Sequence, residues 1–210
     1  YFINKKNHVA LVVVAALLGM CGPPGAIEVH LRSFHFTVKA KLHIAGTAMG
    51  IGLRESDTPR PGPGQVLMRV RASALNFADL TFLSGRLPKA EGVIPLLDGA
   101  GEIVAIGAGV TRWQVGERVV ANPHQSWLAG EARPSSYGQV LGGTVDGMLR
   151  DYAVLPETGL ATMPAHLSFE EAAALPCAGL TAWNSILGGP PHKRPCVPGE
   201  AVLVQGTGGV

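Results

Sequence analysis

Apolar residues in this chain come in short alternating blocks cut apart by glycine and proline. In Gln65 to Ala72, Val66, Met68, Val70 and Ala72 share one face while Leu67, Arg69 and Arg71 take the other. A period of two predicts a half-buried antiparallel strand. Phe36 to Ile44 predicts a strand, Gly46 to Gly52 a glycine turn, and Leu53 to Ser56 the returning strand. Pro59 to Gly64, reading P-R-P-G-P-G, must be a turn, because proline lacks a backbone N–H and locks φ. Glu102 to Ile106, Glu117 to Ala121 and Leu149 to Leu155 are further strand blocks bounded by glycine or proline. Many short strands joined by such turns predict a barrel or sandwich of largely antiparallel strands.

At Ser168 the period changes. Ser168 with Glu171 three positions on is a capping box, and Phe169 to Leu175 is rich in helix formers, which predicts a helix. Pro176 interrupts it and Ala178 to Leu187 resumes as a second helical stretch, followed by a loop from Gly188 to Gly199 that carries four prolines. Ala201 to Gln205 is then an apolar block that predicts a parallel strand covered on both sides. It runs into Gly206, Thr207, Gly208 and Gly209. A glycine turn that follows a strand and opens a helix lets backbone N–H groups approach a dinucleotide pyrophosphate. These four residues are therefore candidate cofactor-binding positions.

Composition narrows the class. Of 210 residues, 47% are hydrophobic and 15% charged, which argues for a globular, well-buried chain rather than a disordered one. A net charge of +2, with no basic run longer than Lys5-Lys6 or Lys193-Arg194, argues against a nucleic-acid partner. Cys21, Cys177 and Cys196 contain no C-x-x-C pair, so they build neither a disulfide framework nor a four-cysteine zinc site. That pattern favours a reducing compartment, and a cytoplasmic location without membrane attachment is the expectation. Lys5-Lys6 before the apolar run Val9 to Met20 has the outline of a secretory signal, yet the run is too short to span a bilayer core of ~30 Å as a helix. A targeting segment, a structural helix and an extension outside the fold are all open readings. The expectation adopted is that residues 1–35 are an extension outside the fold.

Five segments, in their order and spacing, resemble the medium-chain dehydrogenase/reductase family of zinc-type alcohol dehydrogenases and quinone reductases. They are P-G-P-G-Q-V-L-M-R-V at Pro61 to Val70, A-L-N-F-A-D at Ala74 to Asp79, D-G-A-G-E-I-V-A-I-G at Asp98 to Gly107, V-G-E-R-V at Val115 to Val119, and L-P-C-A-G-L-T-A-W at Leu175 to Trp183. The resemblance implies an α/β protein: a GroES-like, mostly antiparallel β barrel over residues 36–165, then inter-domain helices and the first strand of a truncated Rossmann doubly wound domain over 166–210. The family places its active site in the cleft between the two domains.

Departures from the zinc-enzyme pattern are informative. Where the resemblance implies a cysteine ligand the chain has Asn76, and where it implies the histidine of a G-H-E-G-x-G segment the chain has Leu97, within Leu96-Leu97-Asp98-Gly99-Ala100-Gly101. Only Cys177 keeps the third ligand's type. Catalytic zinc needs three protein ligands and an open position, so the chain resembles the zinc-independent branch and no metal residues are assigned. At the catalytic position, Asn76 is expected either to polarise substrate or contact cofactor through its amide, or to satisfy the turn backbone. Asp79 is either a buried carboxylate orienting its neighbours or an acid at a helix N-terminus or turn. Asp98 stands at the family's glutamate position and reads as a cap on the Gly99-Ala100-Gly101 turn. Cys177 reads as a small buried hydrophobe, and Thr181, one helical turn further on, is implied to face a nicotinamide. His124, Trp127 and Tyr137 lie in a loop-rich stretch that could wall a substrate pocket or simply pack there.

The expectation is thus the front part of an oxidoreductase dependent on NAD or NADP (NADPH). It would move hydride between nicotinamide and an alcohol, aldehyde or ketone without zinc, with Asn76 and Asp79 catalytic and Thr181, Gly206, Thr207, Gly208 and Gly209 holding cofactor. A quinone or enone reductase of the same family is the alternative, and a non-catalytic fragment is another. The full-length protein is expected to form a homodimer if it follows its relatives.

Overall fold

The computed structural model describes residues 2–4, 40–45, 50–188 and 194–205. Eight strands lie along them: β1 (Phe2–Asn4), β2 (Ala40–Ala45), β3 (Gly50–Glu55), β4 (Gln65–Ala74), β5 (Asp98–Ile106), β6 (Arg118–Ala121), β7 (Tyr152–Pro156) and β8 (Leu160–Thr162). Three α-helices accompany them: α1 (Phe77–Leu83), α2 (Phe169–Ala173) and α3 (Leu180–Leu187). β2 and β3 form a two-stranded hairpin. The other six build one antiparallel sheet.

β4 organises that sheet. One edge carries β5 along nearly its whole length. The other carries β7 against Gln65 to Arg69 and β1 against Ala72 to Ala74. β6 and β8 continue the sheet outward from β5. The strand face predicted from alternation is the core face: Val66, Met68 and Val70 meet Ile103, Val119, Leu141, Met148, Leu155 and Leu160 in a single buried cluster. At Gly101 the sheet closes tightly, because a Cβ there would come within 2.1 Å of the Arg69 carbonyl oxygen. The short β1 pairing brings Phe2 to Asn4 into the sheet, although residues 1–35 were expected outside the fold. The apolar run Val9 to Met20 lies outside the described residues.

The helical segment forms as its sequence predicts. The Glu171 N–H donates to Ser168 Oγ at 3.2 Å and the Ser168 N–H to Glu171 Oε2 at 2.8 Å, which closes the capping box of α2. α2 lays Ala172 and Ala173 on Ala72, Ala74, Ala100 and Val120, a contact made close by small side chains on both surfaces. Phe169 sits under two guanidinium groups, Arg118 at 4.7 Å and Arg71 at 5.6 Å. Pro176 cannot donate an intrahelical hydrogen bond, and the chain widens into a single π turn over Leu175–Gly179 before α3 begins.

A further expectation needs correction. Ala201 to Gln205 is not a strand: it has no ladder partner among the described residues and stands exposed, Leu203 at 83%. An apolar run supplies only one side of a strand, and pairing must come from a neighbour. Residues 206–210, including the candidate pyrophosphate turn Gly206, Thr207, Gly208 and Gly209, lie outside the described residues. α1 begins directly after Asn76 and has Asp79 in its first turn, so of the helix N-terminus and the turn offered for that acid the chain takes the helix. Among the described residues no helix is long and apolar enough to cross a membrane.

Candidate active site

The site assembles where β4 ends, β5 begins and the π turn passes. Asn76, in extended backbone, is the N-cap of α1, and Asp79 is that helix's third residue. Asp79 Oδ2 accepts the Asn76 backbone N–H at 2.8 Å, while Oδ1 accepts the Leu97 N–H at 3.0 Å. One buried carboxylate therefore ties the start of α1 to the entrance of β5. Burial pushes the Asp79 carboxyl up to about 7, against the lowering effect of the Asn76 and Leu97 bonds and with the nearby Asp98 charge adding to the rise.

Because Asp79 caps the helix, the Asn76 side chain is not spent on the turn. Its Nδ2 donates to Asp98 Oδ2 at 3.0 Å, a bond between residues 22 positions apart. The same oxygen accepts the Cys177 backbone N–H at 3.2 Å. Asp98 is fully buried, and its Oδ1 has no hydrogen-bond partner. Burial pushes its carboxyl up to about 7, offset in part by the bonds from Asn76 and Cys177. The expected role of Asp98 as a cap on Gly99 to Gly101 is thereby replaced, because those glycines lie inside β5 and not in a turn.

The chain reaches Asp98 through a strained residue. Leu96 has φ 76°, the one described non-glycine residue at positive φ, and its side chain is fully buried. It stands at the first glycine position of the G-H-E-G-x-G pattern, so that mismatch was the sequence signal for an unusual backbone here. The left-handed turn sends Leu97 into an apolar cluster with Phe82 and Val140 and leaves Asp98 facing Asn76.

Cys177 is only half-buried, not the buried hydrophobe expected. Burial, and then the Asp98 and Asp79 charges, push its thiol up to about 11, so it is neutral at pH 7 and a weak nucleophile. Thr181 does lie one turn beyond it: Thr181 Oγ1 donates to the Cys177 carbonyl at 2.7 Å, on an exposed face of α3. Asp79 was placed with the catalytic residues, either as a buried carboxylate orienting its neighbours or as an acid at a helix N-terminus or turn. With both oxygens taken by backbone N–H groups and 2% of its surface exposed, it supports the backbone and offers a substrate nothing. Sequence reading missed Asp98 as a site residue and Phe77, 71% exposed, beside Asn76.

His124, Trp127 and Tyr137 form a cluster of their own, ring centroids 5.2 to 6.3 Å apart. Their loop is fastened to the site's surroundings through the bridge from His124 to Val140, which packs on Phe82 and Leu97.

The donor set does not fit a catalytic zinc. Leu97 has no lone pair and packs among apolar side chains, and Asn76 turns an N–H donor toward Asp98. Three protein ligands are needed, and among the described residues no group of three or more His, Cys, Asp or Glu could hold a metal ion.

Comparison with known proteins gives the class. Residues 62–165 match the alcohol dehydrogenase GroES-like domain. The chain is 44% identical over 150 residues to a zinc-type alcohol dehydrogenase-like protein of Schizosaccharomyces pombe, covering 70% of this chain and 43% of that protein. It is 33% identical over 168 residues to an alcohol dehydrogenase of Rhizobium meliloti, covering 75% and 48%. Among solved structures, an NAD-dependent alcohol dehydrogenase superposes with a TM-score of 0.60 at 33% identity, covering 70% of this chain and 46% of that one. The chain belongs to the medium-chain dehydrogenase/reductase family, with a GroES-like antiparallel fold at its centre. It spans about half the length of the relatives it matches.

Proposed function

We propose that this chain is the substrate-binding part of a nicotinamide-dependent oxidoreductase that interconverts an alcohol and its carbonyl compound without a catalytic metal. The observation that carries the reading is the Asn76 carboxamide, half-buried at the mouth of a helix and held at 3.0 Å by Asp98, at the position where zinc-dependent relatives are implied to keep a metal ligand. A substrate oxygen that gains negative charge needs a donor, and the second Nδ2 proton of Asn76 is free to supply one.

Thr181 fits a nicotinamide carboxamide in its chemistry: its hydroxyl donates to Cys177, and its oxygen keeps lone pairs that can accept from an amide N–H. The nicotinamide, when bound, supplies or accepts the hydride. Asn76 orients and polarises the oxygen, and Asp79 holds the Asn76 backbone. Exposed Phe77 gives the substrate's carbon frame an apolar contact next to the amide. The choice between NAD and NADP, and the part played by Gly206, Thr207, Gly208 and Gly209, belong to the dinucleotide half of this proposal.

The test uses the protein at full encoded length, washed with chelator and assayed by nicotinamide absorbance against a panel of alcohols, ketones, enones and quinones. Turnover of alcohol and carbonyl pairs persists without metal, and Asn76→Ala lowers kcat by ~10²- to 10³-fold, the usual cost of losing one oxyanion donor. Turnover lost in chelator and restored by zinc would falsify the metal-free reading, and activity confined to quinones or enones would replace the substrate class.

A further inference from the structure

We propose that Asp98 is a positioning residue of this site: its buried carboxylate holds the Asn76 carboxamide and the π turn at Cys177 in one fixed arrangement, so that a substrate oxygen meets an amide already aimed. The proposal rests on the reading of Asn76 given above.

Three features converge on it. Asp98 Oδ2 accepts from both Asn76 Nδ2 and the Cys177 N–H, groups 22 and 79 positions away, and so joins β5 to the start of α1 and to the turn that leads into α3. Asp98 and Asp79 together clamp Asn76, Asp79 through the Asn76 main chain and Asp98 through its side chain, and the Leu97 N–H, donated to Asp79, ties α1 to the residue just before Asp98. Finally, the backbone before Asp98 is held in a conformation that costs energy. Leu96 at φ 76° is backed by Gly142 and Gly147, whose added Cβ atoms would meet Leu96 backbone at 2.8 Å and 2.2 Å.

Packing alone does not account for the carboxylate. Its Oδ1 is buried with no partner, a state seldom kept unless the group does something. The titratable groups facing it are Asp79 from α1 and Cys177 from the π turn. Strain and an unsatisfied polar atom at the same point are the pattern of a preorganised site rather than of a stability device.

The experiment compares the full-length protein with Asp98→Asn and Asp98→Leu by two readouts. The first is the side-chain 1H–15N resonance pair of Asn76, which needs no turnover. It is distinct from that of a freely rotating amide in the parent protein and moves to the free-amide position in Asp98→Leu. The second is steady-state kinetics: kcat falls about 10²-fold, the scale of a small misplacement of a reacting group, while KM stays close to the parent value. An Asn76 signal unmoved by Asp98→Leu overturns the proposal, as does a loss carried wholly by KM. If no preparation oxidises any alcohol, the reading of Asn76 as a substrate donor fails, and the resonance arm still decides whether Asp98 aims the amide. If Asp98→Leu does not fold, Asn76→Ala serves instead, because Asn76 lies outside the core clusters. The Asp98 carboxyl carbon shift then moves on loss of its donor, and an unmoved shift sinks the proposal.

Discussion

Two aspartates kept out of water give this protein an unusual response to pH. Burial raises both Asp79 and Asp98 from an ordinary 3.8 to about 7, so the folded chain binds protons that the unfolded chain has released. Stability therefore is greatest below about pH 4 as far as these two groups are concerned, declines as pH rises from 3.8 toward 7, and levels off above that. Thermal melts from pH 4 to 8 should show Tm falling with pH, with a shallower slope in Asp98→Asn; a Tm that climbs through this range would contradict it. Leu96 gives a second test. Glycine in its place would relieve ~1–2 kcal/mol of left-handed strain, but it would forfeit a fully buried side chain, which in Leu→Ala changes costs ~2–5 kcal/mol. Burial wins, so Leu96→Gly should lower stability by about 2 kcal/mol in urea titration. A gain would mean that strain dominates.

At the scale of elements, the sheet was largely readable in advance and its fastenings were not. Alternation in Gln65 to Ala72 gave β4 its core face, and Ser168 with Glu171 gave α2 its start, because both are local rules of period and capping. α1 was legible only as one of two readings of Asp79, a helix N-terminus or a turn, because it is seven residues long and the Asn76 side chain that would mark its cap bonds to Asp98 instead. The loop over 142–148 is another such fastening. Gly147 N–H donates to the Ile94 carbonyl and Met148 N–H to Leu96, which brings Gly147 hard against the strained segment. A Cβ at Gly147 would stand 2.2 Å from Leu96 O, 2.5 Å from Pro95 O and 2.7 Å from Gly142 N, all backbone atoms that cannot swing aside. Gly147→Ala should cost at least ~1–3 kcal/mol, the range of overpacked cores, and should also disturb the Asn76 resonance through Asp98. A variant as stable as the parent would show that the loop yields.

On the scale of the whole molecule, the described residues end in unpartnered apolar surface. Leu180 and Trp183 on α3, and Val202, Leu203 and Val204 beyond it, are all more than half exposed. A soluble monomer seldom leaves so much apolar area in one region of chain. The 210-residue chain expressed alone should therefore self-associate, visible as a concentration-dependent rise in mass by light scattering, whereas a monodisperse monomer at high concentration would refute this. The same exposure explains why Ala201 to Gln205 fails as a strand although its composition suits one: β pairing is a contract between two segments, and only one is described.

Periodicity, turn residues and capping by themselves determined the antiparallel strands and the switch to helix at Ser168, since each depends on neighbours within a few positions, while the resemblance to the family rested on five motifs in order from Pro61 to Trp183. The sequence also singled out Asn76, through the residue type at one position of a motif. Tertiary structure alone decided what Asn76 does with its side chain, because its partner lies 22 residues away across a left-handed turn at Leu96 that no local rule allots to leucine. It likewise decided that Asp98 faces the site and Asp79 the backbone, for two acids of identical chemistry differ here only in which N–H groups the fold brings to them.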